Sequence, residues 1–363
     1  MSFVKSVTTK PVVTVGRFTS PDTMVSQVRR GIVDFIGAAR PSIADPFLPK
    51  KIEEGRPEDI RECIGCNICY TGDGVGTPIR CTQNPTMGEE WRRGWHPELI
   101  AKKASDASVL VVGAGPAGLE AARALGRRGY QVMLAEATRE LGGRVAQESS
   151  LPGLGEWRRV LDYRLGQIEK IPNVEIFRES ELNVDEVLSI GADHVVIATG
   201  ASWRSDGFGR SHPYPLDTLT PSTGILTPDD IMTGPIPDGH AVVYDDDSFY
   251  MGGAIAEKLR RAGLPVTLVT PENVVSAWCE YTAEQYQVQK NLLELGVEIK
   301  TAHSLLAFDD REVMVSCTHT EQQQTIKADA LIMVTARQPN DELYQALNQR
   351  SESESHTLFR SLR

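Results

Sequence analysis

Apolar residues in this chain fall into short β-branched runs separated by stretches of helical period, and that alternation is the first guide to its architecture. Val12 to Val15 predicts a strand ended by Gly16-Arg17, Pro21 to Arg30 a helix, and Val33 to Ala38 a second strand ended by Ala39-Arg40-Pro41. This is one βαβ unit, and both strand ends offer a glycine or an arginine suited to a phosphate. From Cys63 to Pro97 the periodicity stops, and Gly, Pro, Asn and Trp dominate, which predicts a segment held by a metal rather than by secondary structure. Ser108 to Val112 opens a second βαβ unit with a helix over Gly115 to Arg128 and a strand over Val132 to Glu136. A further strand, Val195 to Ala198, ends in Thr199-Gly200. A third unit spans Ala241 to Thr270, with strand Val242 to Tyr244, helix Gly252 to Ala262 and strand Val266 to Val269. It reads as a second Rossmann half inserted into the first, and no tandem repeat goes beyond that duplication.

Composition narrows the class. With 363 residues, 24% charged and 40% hydrophobic, the chain can build two or three ordinary cores and carries no disordered or fibrous signature. No apolar run approaches the ~18 residues that span a bilayer, and Met1 to Pro11 lacks the long apolar core of a secretory signal, so a cytoplasmic location is expected. A net charge of −11 with scattered basic residues argues against a nucleic-acid surface and points to small molecules and proteins as partners.

Four of the 6 cysteines form Cys63-x2-Cys66-x2-Cys69-x11-Cys81. Three thiolates two residues apart can converge from one tight turn onto three irons of a cubane, and a distant fourth completes the cage, which is the ligation of a [4Fe–4S] cluster. Zinc more often uses two separated cysteine pairs, and plain structural thiols are the third reading. Cys279 and Cys317 stand alone and read as small buried hydrophobes.

The other strong motif is Gly113-Ala114-Gly115-Pro116-Ala117-Gly118, which follows a strand, opens a helix, and has Glu136 at the end of the next strand. Glycines there let the backbone approach a pyrophosphate, the helix N-terminus supplies N–H groups, and the acid accepts from an adenosine ribose hydroxyl. An acid in that place favours ADP, FAD or NAD over a 2′-phosphorylated cofactor; a packing turn is the bland alternative. Gly143-Arg144, within Leu141-Gly142-Gly143-Arg144, and Thr199-Gly200 sit where the chain returns toward the nucleotide in disulfide-reductase-type flavoproteins, although either is explained equally by a turn.

Three segments carry a specific resemblance: Arg40-Pro-Ser-Ile-Ala-Asp-Pro-Phe-Leu-Pro, Cys63-Ile-Gly-Cys-Asn-Ile-Cys, and Cys81-Thr-Gln-Asn-Pro-Thr-Met-Gly-Glu-Glu-Trp-Arg-Arg-Gly-Trp-His-Pro. The chain resembles the trimethylamine/dimethylamine dehydrogenase family over nearly its whole length, with 2,4-dienoyl-CoA reductase a more distant relative. The resemblance implies an α/β protein with the last βα units of an FMN-binding TIM barrel (1–60) and an irregular [4Fe–4S] module (61–104). It further implies an ADP- or FAD-binding Rossmann-like domain (105–235 and 325–363) and, inserted in it, a degenerate NAD-type Rossmann domain (236–324). Gly16, Arg17 and Arg40 match the family's FMN phosphate positions. Electrons would pass from a small methylated amine to FMN, to the cluster, and to an electron-transferring flavoprotein, in a homo-oligomer when full length.

The chain departs from that pattern at both ends. A TIM barrel takes ~250 residues and eight strands, and what precedes Cys63 accommodates only the seventh and eighth, so the substrate pocket is absent and no catalytic residue is carried over. The polar run after Arg337 replaces a closing Gly-Asp strand, and the whole is expected to be a fragment. Three functions compete: the electron-transfer part of an amine dehydrogenase, an NAD(P)H-driven ene-reductase, and an inactive nucleotide-binding remnant. The inserted unit favours the first, because Asp245-Asp246-Asp247-Ser248-Phe249-Tyr250-Met251 stands where a dinucleotide loop needs glycines. Those three acids read as a solvated loop rather than a metal site. His96 reads as a hydrogen-bonded, aromatic-packed histidine, and Tyr281 and Tyr286 as residues that either face a redox partner or simply lie on a helix surface.

Overall fold

A computed structural model describes residues 2–219, 224–309 and 311–354. The chain divides into two compact units, one of residues 1–145 and 156–198 and the other of 146–155 and 199–355. After the short strand Arg337–Pro339 the polar C-terminal run forms the helix Glu342–Glu354 in place of the family's closing strand, and residues 355–363 lie outside the described residues. Among the described residues no helix is long and apolar enough to cross a membrane.

The first unit begins with β1 (Val13–Val15) and β2 (Phe35–Gly37), paired in parallel through Val13↔Phe35 and Val15↔Gly37 and joined by the helix Pro21–Arg29. Gly37 is required by the close approach of Val15, whose Cγ2 would lie 2.8 Å from an added Cβ. The segment from Cys63 to Pro97 is irregular apart from the short helices Ile68–Gly74 and Glu90–Arg93. Four parallel strands follow: β3 (Ser108–Val112), β4 (Gln131–Ala135), β5 (Val174–Phe177) and β6 (His194–Ile197), in the order β5-β4-β3-β6. This is half of a doubly wound sheet, and the near-continuous apolar run of β3 is what burial on both faces demands. The helix Pro116–Arg128 starts with a proline at its first turn and stops at Gly129, whose φ of 97° is open to glycine. It covers the sheet through Leu119 and Ala122, and it approaches β5 so closely that a Cβ on Gly126 would lie 2.3 Å from Val174.

The second unit contains β7 (Ala201–Trp203), β8 (Ile225–Leu226), β9 (Ala241–Asp245), β10 (Val266–Val269), β11 (Glu298–Lys300), β12 (His303–Asp309), β13 (Glu312–Cys317), β14 (Gln323–Lys327), β15 (Ala330–Val334) and β16 (Arg337–Pro339). Its parallel sheet runs β11-β10-β9-β15-β8, while β12-β13-β14 form an antiparallel layer. Val243, Ile255, Leu268 and Ile332 pack on one face of the parallel sheet, and Tyr244, Leu305, Val313 and Met333 on the other.

The strand Ala330–Val334, expected in the first Rossmann domain, is instead central in the second sheet, paired residue by residue with β9. Residues 199–235 and 325–355 accompany it, which corrects the expected boundaries of both domains. All five residues of β15 are buried. A strand apolar on both faces can enter the middle of any parallel sheet, so its pattern names no partner.

Candidate functional site

Cys63, Cys66, Cys69 and Cys81 all lie in the first unit, half-buried and reduced. The loop that carries the first three turns at Gly65 (φ 76°) and Asn67 (φ 55°), then enters the helix Ile68–Gly74 with Cys69 in its first turn. Backbone N–H groups are aimed at sulfur: Gly65 N donates to Cys63 Sγ (3.4 Å) and Gln83 N to Cys81 Sγ (3.4 Å). Cys66 Sγ lies 3.2 Å from the Thr82 hydroxyl, which ties the first turn to the returning segment. Burial pushes the thiols of Cys63, Cys69 and Cys81 up, and charge on neighbouring cysteines of the same set pushes in the same direction. Three thiols that resist ionising beside their neighbours would be relieved by a shared cationic centre. Among the described residues, no three His, Cys, Asp or Glu side chains stand close enough to hold a single metal ion.

Arg17 and Arg40, expected on an FMN phosphate, both stand against this loop. A Cβ on Gly65 would fall 1.3 Å from Arg17 Nη1, so that glycine makes room for the guanidinium. Arg40 Nη1 donates to Asn67 Oδ1. Both charges act on Cys63 and favour its thiolate. Gly16 lies at the end of β1 beside the Phe18 ring, which would be 3.3 Å from an added Cβ.

In the same unit, the glycine-rich turn shows a separate reason for each glycine. Gly113 has φ 99°. A Cβ on Gly118 would lie 1.8 Å from Gly113 O, so the helix could not close onto the strand with any larger residue. A Cβ on Gly115 would meet no protein atom within 4 Å. Protein packing does not account for that glycine, and the open space beside it leaves room for a ligand to approach the backbone. Pro116 and Ala117 begin the helix, presenting its N-terminal N–H groups beside the turn. Glu136 closes the site from the end of β4: Oε2 accepts from Ala114 N (2.8 Å), and Oε1 from both Thr138 N and Thr138 Oγ1 (2.9 Å each). Gly142 N donates to Ala114 O (2.9 Å), and a Cβ on Gly143 would be 3.2 Å from Gly115 Cα, so the stretch ending in Arg144 returns to the phosphate turn.

Thr199 and Gly200 belong to the second unit. Thr199 Oγ1 donates to Asn340 O, Asn340 Nδ2 donates to Thr199 O (3.2 Å), and Asn340 N donates to Gly200 O (3.0 Å).

At the exit of β9 the three acids are not a solvated loop. Asp245 and Asp246 are 0% and 1% exposed. Asp246 accepts from Ser211 N (2.9 Å) and Ser211 Oγ (2.6 Å). Asp245 Oδ1 accepts from Ser248 N (2.8 Å), and its carboxyl packs where a Cβ on Gly252 would lie, 2.3 Å from Asp245 Cγ. Gly252 thus serves the carboxyl. The periodicity that placed these acids at a strand end carried no sign of the turn folding back over them. Tyr250 donates to Glu148 (2.8 Å), and its ring meets Phe249 edge-on, which fills the space beside the helix N-terminus.

His96 is hydrogen-bonded as expected: Nδ1 accepts from Glu98 N (3.0 Å) and Leu99 N (2.9 Å), and the ring stacks on Phe47. Trp91 and Trp95 are exposed rather than packed on it. Tyr286 and Tyr281 lie on the surface, Cys279 is buried with its thiol pushed up to about 12 by desolvation, and Cys317 is half-exposed, its thiol held down by the Thr320 hydroxyl. Sequence reasoning missed Gln83, Arg159 and Arg164. Arg159 ties the cysteine loop down, donating to Cys63 O (3.3 Å) and to Thr19 Oγ1 (2.8 Å). The available signal was Arg164 falling among the apolar residues Val160, Leu161, Tyr163 and Ile168 on the buried face of the helix Arg158–Ile168.

Residues 1–59 match the NADH:flavin oxidoreductase / NADH oxidase family, 107–218 the pyridine nucleotide-disulphide oxidoreductase family, and 226–321 the OYE-like second alpha/beta domain. Over 375 residues the chain is 41% identical to dimethylamine dehydrogenase of Hyphomicrobium sp. (strain x), covering 96% of this chain and 50% of that protein. Histamine dehydrogenase from Rhizobium sp. 4-9 superposes with a TM-score of 0.94 at 53% identity, covering 97% of this chain and 52% of that one. The 6-hydroxypseudooxynicotine amine oxidase from Pseudomonas geniculata N1 superposes at 0.92 with 48% identity, covering 97% and 53%. The chain spans about half the length of the relatives it matches.

Proposed function

We propose that the chain, which is similar over nearly its whole length to dimethylamine dehydrogenase and histamine dehydrogenase, is the cluster-bearing, nucleotide-binding part of a flavoprotein amine dehydrogenase of the trimethylamine/dimethylamine dehydrogenase family. The observation that carries the reading is the set of four thiols with N–H groups directed at sulfur, in the same compact unit as a complete dinucleotide turn. Cys63, Cys66, Cys69 and Cys81 would hold a [4Fe–4S] cluster, which supplies one-electron transfer when bound.

The first Rossmann turn would take the ADP moiety of ADP or FAD, with N–H groups of the helix Pro116–Arg128 toward the pyrophosphate and Glu136 toward the ribose. Glu136→Ala should weaken ADP binding by about 1 to 3 kcal/mol, the usual cost of an unpaired polar group. Glu136 also holds Ala114 N, so Glu136→Gln separates loss of charge from loosening of the turn. Calorimetry giving an unchanged dissociation constant for both variants would place the ribose elsewhere.

Arg17 and Arg40 would serve the FMN phosphate from the side that faces the cysteine loop. The substrate class is a small amine, delivered to the FMN-bearing part of the complete enzyme in the cytoplasm. Electrons leave through a protein partner, an electron-transferring flavoprotein, rather than entering from a nicotinamide. Support for that direction comes from the exit of β9, where a buried carboxyl and two aromatic rings occupy the place of a phosphate loop. Exclusion there has a steric part that does not depend on charge, and burial pushes the Asp245 carboxyl toward its neutral form. Titration with NADH and NADPH should therefore show no saturable binding; a micromolar dissociation constant would restore the ene-reductase reading. Iron and sulfide analysis of anaerobic protein, with extracted nucleotide identified by mass, tests the assignment as a whole.

A further inference from the structure

The segment behind Cys81 is fixed by a buried polar chain that reaches the nucleotide-binding helix. Gln83 is 1% exposed, and while its N–H donates to Cys81 Sγ, its Nε2 donates to Glu62 O (3.1 Å) and Arg159 O (3.3 Å). Its Oε1 accepts from Arg164 Nη1 (2.9 Å). Arg164 is itself buried, and its Nε stands 3.0 Å from Glu120 Oε2, at ion-pair distance though not in hydrogen-bond alignment. Glu120 lies on the helix Pro116–Arg128 and is also paired with Arg123. Arg61 extends the group: its Nη2 donates to Tyr163 Oη (3.3 Å) and lies 3.8 Å from Glu98, which also pairs with Lys51 (3.0 Å). Lys51 completes the set with Asp45 (2.6 Å).

Four buried cations, Lys51, Arg61, Arg123 and Arg164, thus face three carboxylates, Asp45, Glu98 and Glu120. Among the described residues Arg61 Nε, Arg61 Nη1 and Arg123 Nη1 have no hydrogen-bond partner. Excess buried positive charge is costly unless an anion stands nearby. Across Gln83 from Arg164 lies the sulfur of Cys81, which becomes anionic when it ligates a metal centre.

We propose that Gln83 is a positioning residue for the Cys81 thiolate and that Arg164, held behind it, supplies a fixed positive charge that raises the reduction potential of the cluster these cysteines bind. The inference rests on the cluster reading above. Reduction adds one negative charge to an already anionic thiolate-ligated centre, and a fixed cation in a low-dielectric interior favours the more negative state. Glu120 partly neutralises Arg164 and so works against it.

The test uses the full chain purified anaerobically, with mediated dithionite titration followed by electron paramagnetic resonance. Arg164→Gln should shift the midpoint to more negative values, Glu120→Gln to more positive values, and Arg164→Lys, which keeps the charge, should stay near the parent. General damage to packing would move both charge variants in one direction, so the opposite signs are what the proposal requires. Shifts of the same sign, or unchanged midpoints at full iron content, overturn it. If Arg164→Gln fails to retain its cluster, Glu120→Gln decides alone, and the lack of a positive shift overturns the proposal. A parent chain without inorganic sulfide would instead sink the cluster reading, and this inference with it.

Discussion

Cys66→Ser should reduce iron from about four per chain to near zero and, in the same preparation, leave the segment from Cys63 to Pro97 open to protease. The double effect follows from how little else holds that segment. Its two helices, Ile68–Gly74 and Glu90–Arg93, are too short to be stable alone. Metal-binding free energy is folding free energy in such a loop, so the sheet of the first unit should survive while the loop does not. Cys317→Ser is the control: Cys317 lies at the end of β13, in the other compact unit, and its loss should leave iron unchanged. Retention of full iron and sulfide in Cys66→Ser, or one zinc and no sulfide in the parent, would overturn the assignment.

Asp245→Asn should stabilise the second unit more at pH 8 than at pH 5. Burial raises the Asp245 carboxyl to about 8, charge on Asp247 and Asp246 pushes the same way, and the Ser248 N–H and the charge of Arg210 only partly oppose them. An acid raised on folding contributes stability that is fully present below its unfolded value near 4 and is lost as pH rises to about 8. The slope cannot exceed about 1.4 kcal/mol per pH unit, so at most about 6 kcal/mol is at stake over that window. Asparagine keeps the acceptor for Ser248 N and cannot ionise, which removes the decline. Thermal unfolding from pH 5 to pH 8 checks this: equal effects of the substitution at both ends would mean that Asp245 is already ionised when buried.

The two compact units differ in what their glycines reveal. Gly118 and Gly126 are explained entirely by protein packing, as is Gly252, whose hydrogen faces the Asp245 carboxyl. Gly115 is not. The corresponding turns of the two Rossmann halves therefore differ: one leaves open space at its glycine and the other is filled by its own side chain.

Local physics determined much of this protein from the sequence alone. The strands and helices of the first Rossmann half, the glycine turn with Glu136 and the cysteine spacing are written in neighbouring residues, because φ preferences, helical period and ligand spacing act over a few positions. The tertiary structure decided what no local rule encodes. It placed Ala330–Val334 between β9 and β8, because a strand buried on both faces carries no address for its sheet. It buried Asp245 and Asp246, which a polar run at a strand end does not announce, because a turn with Ser248 at φ 58° folds back onto Asp245 and the distant segment at Ser211 closes on Asp246. It also brought Arg17 and Arg40 onto the cysteine loop, and Gln83, Arg164 and Glu120 into one buried chain. Contacts among residues this far apart in sequence depend on how whole layers pack, and packing is settled only when the chain has closed on itself.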